Sequence, residues 1–268
     1  MNMPIQGLGQ FRRPAIVTNA YSRPHQRNAV LAALSPRALS VLESHLRHRD
    51  FPEGAVLWDA GVPAERIYFP LSGVISVVLP VKDGLGIEVA SVGREAAAGL
   101  GYGLGQFRSV TQGITLISGT FSYISAQALA NAARQNEEIA RMAAICCDWL
   151  LAQSQQLAAC NAVHPADARF SRWLLQSAER VEGEVIPSTQ ETIAQALGIR
   201  RTTVTLIAQG LQMEGMISYR RGKIRIRNRE GLRAAACDCC AALGRANWPA
   251  ERFANSGAEP VDPQSSVC

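Results

Sequence analysis

The segments STQETIAQALGIRRTTVT (residues 188–205) and MEGMISYRRGKIRIR (residues 213–227) decide the fold: they read as two short helices joined by a tight turn and followed by a basic hairpin. Ser188 stands three residues before Glu191, the spacing at which a hydroxyl and a carboxylate satisfy each other's helix-end amides, so a helix is predicted to start there. Ile193, Ala196 and Leu197 share one face of that helix. Gly198, lacking a Cβ, permits the left-handed backbone of a turn between helices. A second helix, from about Arg200 to Glu214, buries Val204, Ile207 and Leu211 at spacings of three and four and turns Arg201, Thr202 and Thr205 outward. A helix of this kind fits a major groove.

Charge supports a nucleic-acid reader over a generic helical hairpin. Between residues 200 and 233 nine basic residues face two acidic ones, a local balance of +7, whereas the whole chain carries +5 and the remainder therefore sums to −2. A charge run is ordinarily a solvated face. Here cap, glycine turn, outward arginines and basic hairpin agree on a phosphate-binding face.

Residues 189–212, with the wing at 217–226, resemble the winged helix-turn-helix of the cyclic-AMP receptor and fumarate-nitrate regulator (Crp/Fnr) family of bacterial transcription factors. The resemblance covers roughly residues 30 to 236 and implies an α+β fold: an N-terminal cyclic-nucleotide-binding-type β-roll, a long dimerisation helix and a C-terminal winged helix. The expected division is a flexible tail over 1–28, a sensor β-roll over 29–125, a dimerisation region over 126–163, the DNA-binding domain over 164–236 and a flexible cysteine-containing tail over 237–268. Residues 51–125 fit the β part, because short apolar-polar runs such as Val74-Ile75-Ser76-Val77-Val78 are divided by Gly54, Gly61, Gly73, Gly84, Gly86 and Gly93. The pattern turns helical after Ser125. From about Asn136 to Cys160, Ile139, Met142, Cys146, Trp149, Leu150, Gln153 and Leu157 form a heptad-like stripe. It suits pairing with a second copy of the chain, the alternative being a face packed on its own β-roll. A homodimer is expected, since two half-sites about one DNA turn apart need two readers. His164-Pro165 should end the helix.

The resemblance places Arg201 where the family's arginine reads guanine, with Thr202 in place of a common glutamate and Leu206 in place of a second arginine. Both departures put the operator sequence of the best-known members in doubt. Thr202 and Thr205 are candidates for a thymine methyl or a phosphate, and Thr189, Gln190 and Arg200 for backbone contacts. Arg220, Arg221 and Lys223, beside Tyr219 and the Gly222 turn, should hold phosphates. The partners implied are double-stranded DNA, a second copy and RNA polymerase.

In the nucleotide-binding members a glutamate accepts the ribose 2′-hydroxyl and an arginine followed by Ser or Thr neutralises the cyclic phosphate. Ungapped alignment leaves Arg108 and Ser109 as effector-pocket candidates but puts Ala98 at the glutamate position. Glu95 lies three residues too early, so cyclic-AMP binding is not expected and the effector stays open. Arg108 reads equally as a surface arginine on a strand. Seven cysteines are present, none before Cys146. Cys237, Cys239 and Cys240 are followed by no histidine and are expected to be free thiols on a helix end, with Cys146, Cys147 and Cys160 core or interface residues. His25, His45, His48 and His164 show no ligand spacing, so no metal or cofactor is assigned.

No nucleophile elbow, P-loop or paired-carboxylate motif is present, and Gly99, Gly101, Gly103 and Gly105 read as a β-turn region, so no enzyme is expected. A sensor with incidental DNA binding and a thiol redox sensor are the alternatives to a DNA-binding regulator. Without an apolar leader or an apolar run of ~18 residues, a soluble cytoplasmic chain is expected.

Overall fold

The computed structural model describes residues 24–81, 86–105, 108–181, 185–239 and 249–254. Two short helices, α1 (Ala29–Ala33) and α2 (Pro36–Glu43), precede seven strands: β1 (Arg47–Phe51), β2 (Val56–Trp58), β3 (Arg66–Pro70), β4 (Val74–Pro80), β5 (Gly86–Val92), β6 (Gln112–Ile117) and β7 (Gly119–Ser125). These pair antiparallel into two sheets, ordered β1-β7-β3 and β2-β6-β4-β5, which form the roll. Alternation faces Phe51, Tyr68, Ile75, Val77, Val92 and Phe121 into one core. At the β3–β4 turn Gly73 has φ 75°, and a Cβ there would lie 2.5 Å from the Ile117 carbonyl oxygen, so only glycine fits.

The glycine run after residue 98 is helical, which corrects the β-turn expectation. Gly99, at φ 90°, redirects the chain, and fully buried Leu100 anchors the first turn of α3 (Leu100–Gly105) in the core. Core burial of Leu100 outweighs the weak helix propensity of the glycines. Ser125 caps α4 (Ala126–Gln135) through its hydroxyl, and Asn136 caps α5 (Glu137–Val163) by accepting from the Glu138 and Ile139 amides.

Much of the α5 stripe is covered within the chain itself. Ile139, Met142 and Cys146 pack with α1, α2 and α4, Trp149 enters the core of the roll, and Gln153 exchanges hydrogen bonds with the backbone of Ser91, at 3.3 Å to its amide and 3.2 Å to its carbonyl. The roll has an apolar flank to cover, and the stripe is already beside it in the chain, so the intramolecular contact takes it.

The ends of the described chain are also anchored. Asn28 is buried, caps α1 and donates its side-chain amide to the carbonyls of Pro70 and Ala96 at 3.0 and 2.9 Å. Phe253, in the short helix that follows the winged domain, is buried beside α1 and α5 with the Arg141 guanidinium 4.8 Å above its ring. Asn28 and Phe253, both within the expected tails, are thus buried.

Beyond α5, His164 ends the helix in extended conformation, as the His-Pro pair predicts, and α6 (Ala166–Arg180) starts. There follow β8 (Val185–Pro187), α7 (Gln190–Leu197), α8 (Arg201–Met213), β9 (Ile217–Arg220), β10 (Lys223–Ile226) and α9 (Arg229–Ala235), the strands ordered β8-β10-β9. Their core of Phe170, Leu174, Ile193, Leu197, Val204, Leu211 and Ile224 also takes in Val74, Leu116 and Ile117 from the roll. A helix after α9, Pro249–Ala254, carries Phe253 and is α10.

Candidate nucleic-acid interface

The start of α7 falls one residue later than its sequence spacing suggests. Thr189 is the N-cap: its hydroxyl accepts the Thr192 amide at 3.1 Å. Ser188 is tied instead to the wing, its amide donating to the Gly222 carbonyl at 2.9 Å and its own carbonyl accepting the Tyr219 hydroxyl at 3.0 Å. The wing claims Ser188 first, so the cap passes to the next hydroxyl in line. At the other end Gly198 adopts φ 62°, ψ 37°, the left-handed turn its position calls for, and Arg200 is the extended N-cap of α8.

Val204, Ala208 and Leu211 are buried on the inner face of α8, with Ile207 half-buried. Its outer face presents Arg201, Thr202, Leu206 and Gln209, all exposed, Leu206 to 68%. Thr205 is half-buried between these faces, and its hydroxyl lies 3.0 Å from Gln190 Oε1 and 3.1 Å from the Arg201 carbonyl. It ties α8 to the start of α7 more than it points outward. Leu206 and Gln209 extend the outer face beyond the residues singled out from sequence. Their signal was helical spacing from Arg201 and Thr202, masked for Leu206 by its apolar character.

The wing is a two-residue hairpin. Arg221 at φ 48° and Gly222 at φ 71° give both central positions a left-handed backbone, the twist that suits tightly paired strands. Arg220, Arg221 and Lys223 are exposed at its tip, and Arg227 donates to Ser218 Oγ at 3.2 Å. Thr189, Gln190, Glu191, Arg201, Tyr219, Arg221 and Gly222 line one open cleft between α7, α8 and the wing. The positive field of Arg201 opposes the burial that raises the Tyr219 hydroxyl above its usual pKa. Of the nine cations, Arg229 is engaged elsewhere, in a 3.2 Å ion pair with Glu179.

The effector candidates separate. Ser109 is buried and turned inward, its Oγ 2.6 Å from the Thr111 carbonyl. Arg108 is exposed, donates to the Gly61 carbonyl at 2.8 Å and stands at the rim of a cavity between roll and α5 lined by Trp58, Val77, Val89, Leu100, Cys147 and Leu150. Ala98 is fully buried and hydrogen-bonded to Tyr68 through both backbone groups. Glu95 is held by Arg180 at 2.9 Å with neither side chain exposed. It cannot reach the cavity rim.

The cysteines divide as well. Cys146 is sealed in the core, where burial pushes its thiol up to about 12. Cys160, read from sequence as a core or interface residue, is buried beside His164, Cys237 and Cys239. Cys240 and Cys268 lie outside the described residues.

Residues 168–235 match the model of the Crp-like helix-turn-helix domain. None of the curated proteins compared with the chain matches it. Among solved structures, FixK2 from Bradyrhizobium japonicum superimposes with a TM-score of 0.63 at 18% identity, covering 72% of this chain and 98% of that one. A transcriptional regulator of the Crp/Fnr family from Eubacterium rectale gives 0.61 at 17% identity, with 77% and 96% covered. The c-di-GMP responsive global regulator CLP of Xanthomonas campestris gives 0.60 at 16%, with 72% and 99% covered. The fold is therefore that of these Crp/Fnr-type regulators, and residues 168–235 are a Crp-like helix-turn-helix domain. No helix among the described residues is long and apolar enough to cross a membrane.

Proposed function

We propose that this protein is a cytoplasmic homodimeric transcription regulator that binds double-stranded DNA through the outer face of α8. The observation that carries this reading is the exposure of Arg201 and Thr202 on the first turn of a helix flanked by Arg200 and by the wing cations Arg220, Arg221 and Lys223. Arg201 is suited to a bidentate guanine contact, and Leu206, exposed one turn further on, to a thymine methyl. The wing, Thr189 and Gln190 hold phosphates, and the bound dimer engages RNA polymerase. Since the inner stripe of α5 is covered by the roll, the second copy packs on the outer face, where Ala144, Leu151, Gln155, Ala158 and Ala162 are exposed.

The roll senses a small molecule with an apolar body in the cavity beside α5, with Arg108 meeting an anionic group at its rim. Cyclic AMP fits poorly, because the ribose-binding carboxylate is replaced by Ala98 and Glu95 is committed to Arg180. Selection of binding sites from random duplexes by the purified protein tests the proposal. A palindromic motif with half-sites about one turn apart supports it, and salt-dependent binding without any motif contradicts it.

A further inference from the structure

The end of α5 and the segment after α9 meet at one point. Cys160 and His164 lie four residues apart on the last turn of α5 and its cap, and therefore project from the same side. Cys237 and Cys239, two residues apart, approach from the chain that leaves the winged domain. The Sγ atoms of Cys160 and Cys237 are 3.5 Å apart, as are Cys239 Sγ and His164 Nδ1, and all four ligand atoms lie within 4.8 Å of one another. We propose that Cys160, His164, Cys237 and Cys239 form a tetrahedral Cys3His site for one zinc ion, pinning the C-terminal end of the long helix to the far side of the winged domain.

The spacing suits this ion. Zn–S bonds of about 2.3 Å and Zn–N bonds of about 2.0 Å at tetrahedral angles separate neighbouring ligand atoms by about 3.5–3.8 Å, and a closed four-ligand set of soft sulfur and imidazole is that of a structural zinc. A disulfide between Cys160 and Cys237 would need sulfurs about 2.05 Å apart, and both are free thiols. The three cysteines are buried, Cys160 completely and the other two to over nine-tenths.

The surroundings are built for a charged centre. Gln156 Nε2 donates to Cys239 Sγ at 2.9 Å, one turn below Cys160, in the position of an outer-shell partner that orients a ligand. Zinc with three thiolates carries a net −1. Arg172 on α6 is 3% exposed, and its charge acts on Cys160, so a buried cation stands beside the site to balance it. Binding releases the three thiol protons to solvent and changes no oxidation state. Because the ligands come from both sides of the α5–α6 junction, the ion restrains the joint between roll and winged domain.

The test uses the full chain, purified under reducing conditions without chelator or metal-affinity resin. Elemental analysis should give close to one zinc per chain. Cys237→Ser and His164→Gln should each lose most of it, Gln156→Ala should weaken it by about 10–100-fold, and His45→Gln, exposed and outside the cluster, should keep it. Should the ligand variants misfold, Co2+ titration of the metal-free wild type decides: intense visible bands of a tetrahedral thiolate site, lost on adding one equivalent of Zn2+, support the proposal. Zinc below about one tenth per chain together with only weak octahedral cobalt absorption overturns it. So does iron in place of zinc, or a Cys160–Cys237 disulfide in protein isolated with its thiols trapped.

Discussion

Arg201 and Lys223 carry the same charge but occupy different kinds of place. Arg201 leaves the first turn of the helix that faces outward, whereas Lys223 opens a wing strand beside the turn. Arg201→Ala should therefore relax base preference at one position per half-site, at about 1–3 kcal/mol, while Lys223→Ala should weaken all sequences alike and lower the salt slope by about one. Competition binding on permuted sites across salt concentrations measures both, and equal losses on every sequence for both variants would refute the assignment. Glu88 offers a test of another kind. It is buried on β5, accepts the Ser76 hydroxyl at 2.6 Å, and burial lifts its carboxyl to about 7 against the partial relief of Arg180 and Arg172. The folded state thus holds this proton more tightly than the unfolded chain, so stability falls as pH rises from about 4.5 to 7 and levels off above. Glu88→Gln should flatten that part of the stability curve, read as urea midpoints across the range. An unchanged slope would place the titration elsewhere.

At the scale of elements, the pair α7 and α8 depends on its caps. Thr189→Ala should destabilise the winged domain by about 1 kcal/mol through loss of the bond to the Thr192 amide, whereas Ser188→Ala should cost little at that cap, since Ser188 Oγ makes no hydrogen bond among the described residues. Thermal unfolding of both variants checks the order, and a larger loss at Ser188 would restore the cap to it. The helix-turn-helix and wing were legible because Gly198, Gly222, the apolar spacing and the basic hairpin are local signals that tertiary contacts left in place. The cap was misplaced by one residue because two adjacent hydroxyls compete, and only the backbone bond of Ser188 to Gly222 decides between them. The helix at Leu100–Gly105 was illegible for the opposite reason: four glycines argue for a turn, and burial of Leu100 overrides them.

In the molecule as a whole, roll and winged domain are joined by polar as well as apolar contacts. Arg180 Nε meets Glu95 at 2.9 Å and its Nη1 donates to Ser91 Oγ at 2.6 Å, all three side chains buried. Removing one partner strands a buried charge, so Arg180→Met should cost about 3–5 kcal/mol, and adding Glu95→Gln should recover part of it. Denaturant midpoints of the two single variants and the double variant measure the coupling, and simple additivity would mean the pair is not joined. The sequence by itself determined the order of parts and the outward face of α8, because caps, turns, periodicity and charge act over a few residues. Only the tertiary structure decided which side of α5 is covered, that Glu95 is committed to Arg180, and that Cys160 and His164 meet Cys237 and Cys239. Those outcomes depend on contacts between residues 62 and more positions apart in the chain, where spacing carries no information and packing alone brings the side chains together.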